Sequence, residues 1–299
     1  MLKGLALTPP VIGRISIGKM VEKNGRRIPE KDDEFTITSQ VQARDGWVSH
    51  PLDEALRSSG TKLRSIPVRL LFDDPDLNFR ANYSLFDRST GRPLCVGDGE
   101  TCRRSTATGV ETLQCPSPDG CELGFGAGCK PYGRLNVRIG EEDALGSFVF
   151  RTTGFNSIRT LAARLRYFGA ISGGRLAALP LELRLRGKST TQSHRAPIYY
   201  VDLTERVGMS MSAMLESATN EVEARRVMGF DQLALDEAAR RGFSEGAFED
   251  SSEEGWIVEE SAFADAGQPS VACDQTAQSV PTSLRAKLAA KSLLGGQAA

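Results

Sequence analysis

The chain has 299 residues, 40% hydrophobic and 25% charged, with a formal net charge of -1. This length exceeds the usual span of one hydrophobic core, so one large domain with appendages, or two domains, is expected. The balanced charge gives no global pull toward nucleic acid or membrane, and no run reaches the roughly 18 apolar residues that a membrane span needs.

From the start, Met1 to Val11 is apolar but short, carries Lys3, Pro9 and Pro10, and has no small-residue cleavage site. It does not read as a signal peptide, and the expected compartment is the cytoplasm. β-prone runs then recur at Glu34 to Val41, Ser65 to Phe72, Phe79 to Asp87, Arg134 to Ile139, Ser147 to Thr153, Leu179 to Arg186 and Pro197 to Leu203, separated by turn-forming clusters. Leu181, Leu183 and Leu185 alternate with Glu182, Arg184 and Arg186, which predicts a strand with one buried and one wet face. Between the strands, Ile158, Leu161, Ala162, Leu165 and Phe168 repeat at helical spacing, with Asn156 or Ser157 as N-cap and Gly169 near the end. Arg159 and Arg166 fall on the opposite face. Strands with one inserted helix predict an α+β fold with a mostly antiparallel or mixed sheet.

Met209 to Arg241 reads as a long helical segment divided at Gly229, with Met211, Leu215, Ala218 and Val222 on one stripe. After Arg241 the chain turns acidic, from Glu245 to Asp274, with no Lys or Arg before Arg285. That composition predicts a disordered tail. Trp256, Ile257 and Val258 offer a short docking motif within it, and Ser283 to Leu294 a small basic helix. The expected organisation is an α+β domain over 1–205, a helical extension over 206–242 and the tail over 243–299.

Five of the six cysteines lie between Cys95 and Cys129, in a segment rich in Gly, Pro, Ser and Asp. In a reducing compartment such a cluster points to metal before disulfides. Cys102, Cys115, Cys121 and Cys129 are the expected ligands of a zinc ion in a turn-rich loop insertion, with Cys95 as the alternative to Cys102. Their separations of thirteen, six and eight positions lack the C-x-x-C knuckles of zinc ribbons, and a set of unpaired reduced thiols is the competing reading. A site of four thiolates is closed to water, so its expected role is structural.

Other chemistry is thinly supplied. His50 and His194 are the only histidines, which leaves little for a His-rich metal centre or a Ser-His-Asp triad. Asp73, Asp74 and Asp76 follow a strand, but Pro75 among them points to a turn. Gly124, Gly126 and Gly128 lack the Lys-Ser/Thr of a phosphate loop. Basic residues concentrate between Arg134 and Arg195. Among them Arg159, Arg166, Arg184 and Arg186 are candidates for a nucleic-acid or partner contact, because the guanidinium fork suits phosphate and carboxylate.

Gly13-Arg14-Ile15-Ser16-Ile17-Gly18, Phe79 to Phe86, Cys95 to Cys129 followed by Lys130-Pro131, Arg134-Leu135-Asn136-Val137, Gly146 to Gly154 and the helix after Asn156 together resemble the recombination directionality factor-like family of phages and integrative elements. Proteins of this kind also carry the description "hydrolase or metal-binding protein". The resemblance covers roughly the first two-thirds of the chain. It implies a non-enzymatic accessory factor that binds a serine integrase, or another recombinase, and biases recombination toward excision by favouring one arrangement of the integrase–DNA complex. A metal-dependent hydrolase and a DNA-binding accessory protein of a recombination module are the alternatives.

Overall fold

A computed structural model describes residues 9–243, apart from 24–25, 44–45, 58–60, 88, 125–127, 141–145 and 190–196. These residues all fall within one compact unit. The strands are β1 (Val11–Lys23), β2 (Arg26–Ala43), β3 (Gly46–Ser49), β4 (Ser65–Arg69), β5 (Phe79–Phe86), β6 (Pro93–Gly97), β7 (Thr101–Thr106), β8 (Gly109–Gln114), β9 (Lys130–Ile139), β10 (Ser147–Thr152), β11 (Leu181–Lys188) and β12 (Ile198–Glu205). The helices are α1 (Pro51–Leu56), α2 (Pro75–Asn78), α3 (Ser117–Gly120), α4 (Phe155–Ser172), α5 (Met211–Val227) and α6 (Gln232–Phe243).

The strands form a mixed sheet in the order β3-β2-β1-β10-β9-β5-β6-β7-β8, and β4 links β9 to β11, which pairs in turn with β12. Only β1 and β10 run parallel among the described pairs. The α+β arrangement expected from the pattern of strands is therefore present. All seven anticipated strand runs overlap strands, with Leu70 to Phe72 falling beyond β4, while β1, β3, β6, β7 and β8 lie outside the anticipated runs. β8, for example, is exposed along its whole length, so its sequence shows no buried face to detect.

Apolar side chains from both branches of the sheet build one core. Phe35, Ile37, Leu135, Phe148 and Phe150 meet Ile66, Leu181, Leu183, Val201 and Leu203, and α4 closes over them with Leu161, Leu165 and Phe168. The helix starts earlier than its sequence suggests, with Gly154 as N-cap, and ends later, at Gly173 in the left-handed region with φ 61°. Ser157 is not the cap; it is buried and accepts the Val201 N–H at 3.0 Å, tying α4 to β12.

The polar face of β11 departs from simple alternation. Glu182 is 4% exposed; it accepts from Arg184 Nε at 2.8 Å and from the Val207 N–H at 3.2 Å. A charged residue is buried here because it is paired, as burial of a carboxylate requires.

α5 packs on this same core, and α6 on a smaller cluster of its own. The anticipated stripe on α5 is rotated: Met214 and Ala218 are buried and Leu215 is partly so, whereas Met211 and Val222 face solvent. Flexible Met214 fills the gap beside Ala218 that the spacing had assigned to its neighbours. Gly229, with φ 81°, breaks the segment as expected. α6 is anchored by Ala239 against Phe72 and Leu77 and by Asp236, which accepts the backbone N–H groups of Asp73 and Asp74 at 3.0 and 3.3 Å. The acidic tail and terminal helix anticipated beyond Phe243, the docking motif Trp256 to Val258 and Cys273 lie outside the described residues.

Candidate functional site

The cysteine segment is not a loop insertion. Three antiparallel strands, β6, β7 and β8, extend the sheet from β5, and only α3 and its flanks are turn-like. Turn residues misled the sequence reading because they sit at the hairpin tips: Asp98 accepts the N–H groups of Glu100 and Thr101, both at 2.8 Å, in a side-chain-capped turn.

Register decides which thiols meet. Residues directly opposite one another in antiparallel strands share a face. Leu85 lies opposite Cys95, and Cys95 opposite Arg104; in the next row Tyr83 lies opposite Gly97, and Gly97 opposite Cys102. Cys129 enters immediately before β9, whose Lys130 pairs with Ser84. The result is one cluster of Leu85, Cys95, Cys102 and Cys115, with Tyr83, Leu94 and Cys129 packed against it.

Two glycines make room for sulfur. A Cβ on Gly97 would stand 2.8 Å from Cys115 Sγ and 2.7 Å from Cys102 Cβ; one on Gly124 would stand 3.1 Å from Cys129 Cβ and 3.3 Å from Cys121 Cβ. The Gly124 N–H donates to Cys121 Sγ at 3.3 Å. Arg104 Nη2 lies 3.7 Å from the same sulfur. Hydrogen bonding to Cys95 is the first cause of the raised Arg104 pKa. Gly97→Ala is expected to lower stability by about 1–3 kcal/mol through overpacking, read as a drop in melting temperature against the wild-type chain.

All five described cysteines are free thiols. Burial, followed by the neighbouring thiols, pushes Cys102 and Cys129 up to about 11. Among the described residues no group of three or more His, Cys, Asp or Glu side chains has the arrangement that would hold a metal ion. Cys95, Cys102, Cys115 and Cys129 share one cluster, Cys121 lies beside Cys129 across Gly124, and the Arg104 guanidinium reaches Cys121. Composition and cysteine density do not single out Gly97 or Arg104. Their signal was present as period-2 spacing, Gly97 two positions after Cys95 and Arg104 two after Cys102.

The four candidate arginines divide into two kinds. Arg184 is tied to buried Glu182, and Arg186 Nε lies 3.4 Å from Asp202, which Arg164 also reaches at 3.1 Å. Arg159 forms no hydrogen bond or ion pair with another described residue, and Arg166 meets only Asp76, at 4.0 Å between two exposed groups. Both sit on the outer face of α4 beside two exposed aromatics, Phe155 at 58% and Tyr167 at 52% exposure.

The remaining polar candidates are engaged in the fold. Asp73 accepts the Ala177 N–H at 2.8 Å, and Asp74 caps α2 and pairs with Arg240 at 3.0 Å. His50 Nδ1 accepts the Leu52 N–H at 3.2 Å as N-cap of α1, its ring edge-on to Phe148, and burial lowers its pKa. His194 and Gly126 lie outside the described residues. No described helix is long and apolar enough to cross a membrane.

A family model described as Gp3-like, recombination directionality factor-like, matches residues 12–206. No curated protein and no solved structure matches. The match begins in β1 and ends just past β12, so it takes in the whole sheet, the thiol cluster and α4. The chain belongs to the Gp3-like, recombination directionality factor-like family.

Proposed function

We propose that the chain is a non-enzymatic accessory factor of a mobile genetic element, which binds a serine integrase or related site-specific recombinase in the cytoplasm and biases recombination toward excision. The observation that carries this reading is the family match across residues 12–206. The outer face of α4 supports it. Phe155, Arg159, Arg166 and Tyr167 offer exposed aromatic and guanidinium groups of the kind that anchor protein interfaces, whereas Arg184 and Arg186 are held in ion pairs with Glu182 and Asp202. Contact with a recombinase requires no DNA-wide positive face, in keeping with the net charge of -1.

The test is recombination in purified components. The recombinase encoded with the element is given the two junction sites that flank the integrated form, with and without this protein. Excision that depends on the protein, together with co-purification of the two proteins, is the expected result; no effect on excision and no association would overturn the reading.

Within the same reading the thiol cluster binds zinc and shapes the sheet extension instead of performing a reaction. A four-thiolate site leaves no open position for water. When bound, the metal supplies a cross-link among strands that bury few apolar side chains of their own. The thiols must lose protons to ligate, so binding competes with the high affinities that Cys102 and Cys129 have for theirs, and metal affinity rises with pH.

The acidic residues after β4 separate this reading from hydrolysis. Burial, with the Asp236 charge adding to it, raises the Asp73 pKa above its ordinary 3.8; the Ala177 N–H and Arg225 oppose the shift. The folded state therefore keeps this proton to higher pH than the unfolded chain does. Stability falls as pH rises from about 3.8 through the folded value, and above both the ionised group costs stability. Asp73→Asn keeps an acceptor for Ala177 and removes the charge. It is expected to melt higher than wild type at neutral pH, with the advantage gone below pH 3.8, and to leave excision unchanged. In a metal-dependent hydrolase using Asp73 the same change would abolish turnover.

A further inference from the structure

We propose that the segment Glu253-Glu254-Gly255-Trp256-Ile257-Val258-Glu259-Glu260 docks on the outer face of α4 of its own chain and competes there with the recombinase. The docking follows from the surface and the sequence alone, while the competition rests on the functional reading above.

Phe155, Arg159, Ala163 and Tyr167 follow one another at intervals of four along α4, and Arg166 and Ala170 widen the same stripe. All six are exposed. Two alanines among bulkier neighbours leave room for an incoming side chain. Guanidinium groups take carboxylates bidentately, and exposed rings gain from covering by a large apolar group. The face therefore fits an acidic segment with an aromatic residue at its centre.

The chain carries such a segment just beyond α6. Residues 242–260 include seven acidic side chains and no Lys or Arg, and two glutamates stand on each side of the apolar run Trp256-Ile257-Val258. The end of α6 lies close to α4. Arg240 Nη2, in the last turn of α6, is 3.0 Å from Asp74 Oδ2. Asp74 caps α2, and the next residue, Pro75, packs on α4 so closely that a Cβ on Gly169 would stand 2.8 Å from its Cγ. Asp76 follows, 4.0 Å from Arg166. α2 thus bridges the end of α6 to the half of α4 that carries Arg166 and Tyr167. Trp256 comes thirteen residues after Phe243, up to about 45 Å of extended chain. The 18 residues of α4 span about 27 Å, so the whole face is within reach.

The other exposed apolar corner, at Val227, Met228 and Leu233, fits this segment less well. Leu233 lies at the end of α6 remote from Phe243, and the nearby Arg225 and Arg226 are already held by Glu221 and Glu223. On α4, the Arg166 to Asp76 pair is exposed on both sides, so it yields to a new carboxylate at little cost.

A segment tethered at this range is present at an effective concentration on the order of 1 mM. An intrinsic contact of about 0.3 mM would then close the face roughly three-quarters of the time and weaken apparent recombinase affinity about fourfold.

The test uses the full-length chain and the emission of Trp256, isolated by subtracting the spectrum of Trp256→Phe, which retains Trp47. In wild type Trp256 is expected to emit at shorter wavelength than an exposed indole and to resist acrylamide quenching. Arg159→Glu with Arg166→Glu, or Glu253→Lys with Glu254→Lys, should each return it to the solvent value. The four changes together should restore the shielded signal by swapping the charges. Trp256→Ala should raise apparent recombinase affinity about fourfold, as expected for a face freed of its competitor. A solvent-exposed Trp256 in wild type would overturn the docking, and a shielded one indifferent to the α4 changes would overturn α4 as its seat. Shielding that grows with protein concentration would place the segment on a second copy instead. A docked segment whose release leaves recombinase affinity unchanged would overturn the competition. If neither wild type nor Trp256→Ala associates with the recombinase, the functional reading fails by itself, and the fluorescence still decides the docking.

Discussion

Removing the metal from the zinc-loaded protein is expected to melt the sheet extension while the main core stays folded. In small zinc-dependent domains metal binding contributes roughly 10–16 kcal/mol to folding, far more than the extension supplies for itself. β8 is exposed along its length, and the buried apolar residues of the extension are few, chiefly Val96 and the cysteines themselves. A hairpin of this kind is marginal in water without further support. The main core has that support: Phe148, Phe150, Leu161, Leu165, Leu181 and Leu183 are each 1% exposed or less. Amide hydrogen exchange before and after chelation is the measurement. Protection should fall across Pro93–Gly97, Thr101–Thr106 and Gly109–Gln114 and persist in Ser147–Thr152 and Leu181–Lys188. Cys115→Ser should reproduce the chelated pattern. Equal protection in the extension with and without chelator would contradict the structural role.

The core and the extension also differ in how well their sequences announce them, and for a common reason. Leu181, Leu183 and Leu185, or Ile158, Leu161, Leu165 and Phe168, bury their side chains on one periodic face, so burial is written into the spacing. The extension buries sulfur at positions set by cross-strand register, and register is a relation between strands that a linear pattern does not carry. That is why the density of cysteines marks the segment in the sequence, whereas which of them share a face follows only from the register that sets Arg104 opposite Cys95 and Gly97 opposite Cys102. Glu182 repeats the lesson. Its alternation marks it as solvent-facing, but Arg184 and the Val207 N–H enclose it. The arginines follow the same logic: density in sequence singled out Arg159, Arg166, Arg184 and Arg186 together, and only the carboxylates of Glu182 on the same strand and Asp202 on the neighbouring one separate the paired from the exposed.

That separation sets the second large effect. Arg159→Glu combined with Arg166→Glu is expected to weaken association with the recombinase by roughly tenfold or more, equivalent to about 1.4 kcal/mol or more, because it reverses two exposed charges beside Phe155 and Tyr167 without touching a buried contact. The melting temperature should stay near wild type, as surface substitutions away from packed features are mostly within about 0.5 kcal/mol. Arg184→Ala should do the reverse. It strips the guanidinium from Glu182, 4% exposed, and lowers stability, since leaving a buried carboxylate without its partner is costly, while recombinase affinity in the fraction that remains folded is preserved. Titration of excision against protein concentration, set beside thermal melts of the same preparations, distinguishes the two. If both variants lost affinity and stability together, the outer face of α4 would be no more than a structural surface. If neither lost affinity, the contact would lie elsewhere, and the exposed Val227, Met228 and Leu233 where α5 meets α6 would be the next surface to vary, since solvent-facing apolar side chains clustered at one corner of a fold are the other common mark of a protein contact.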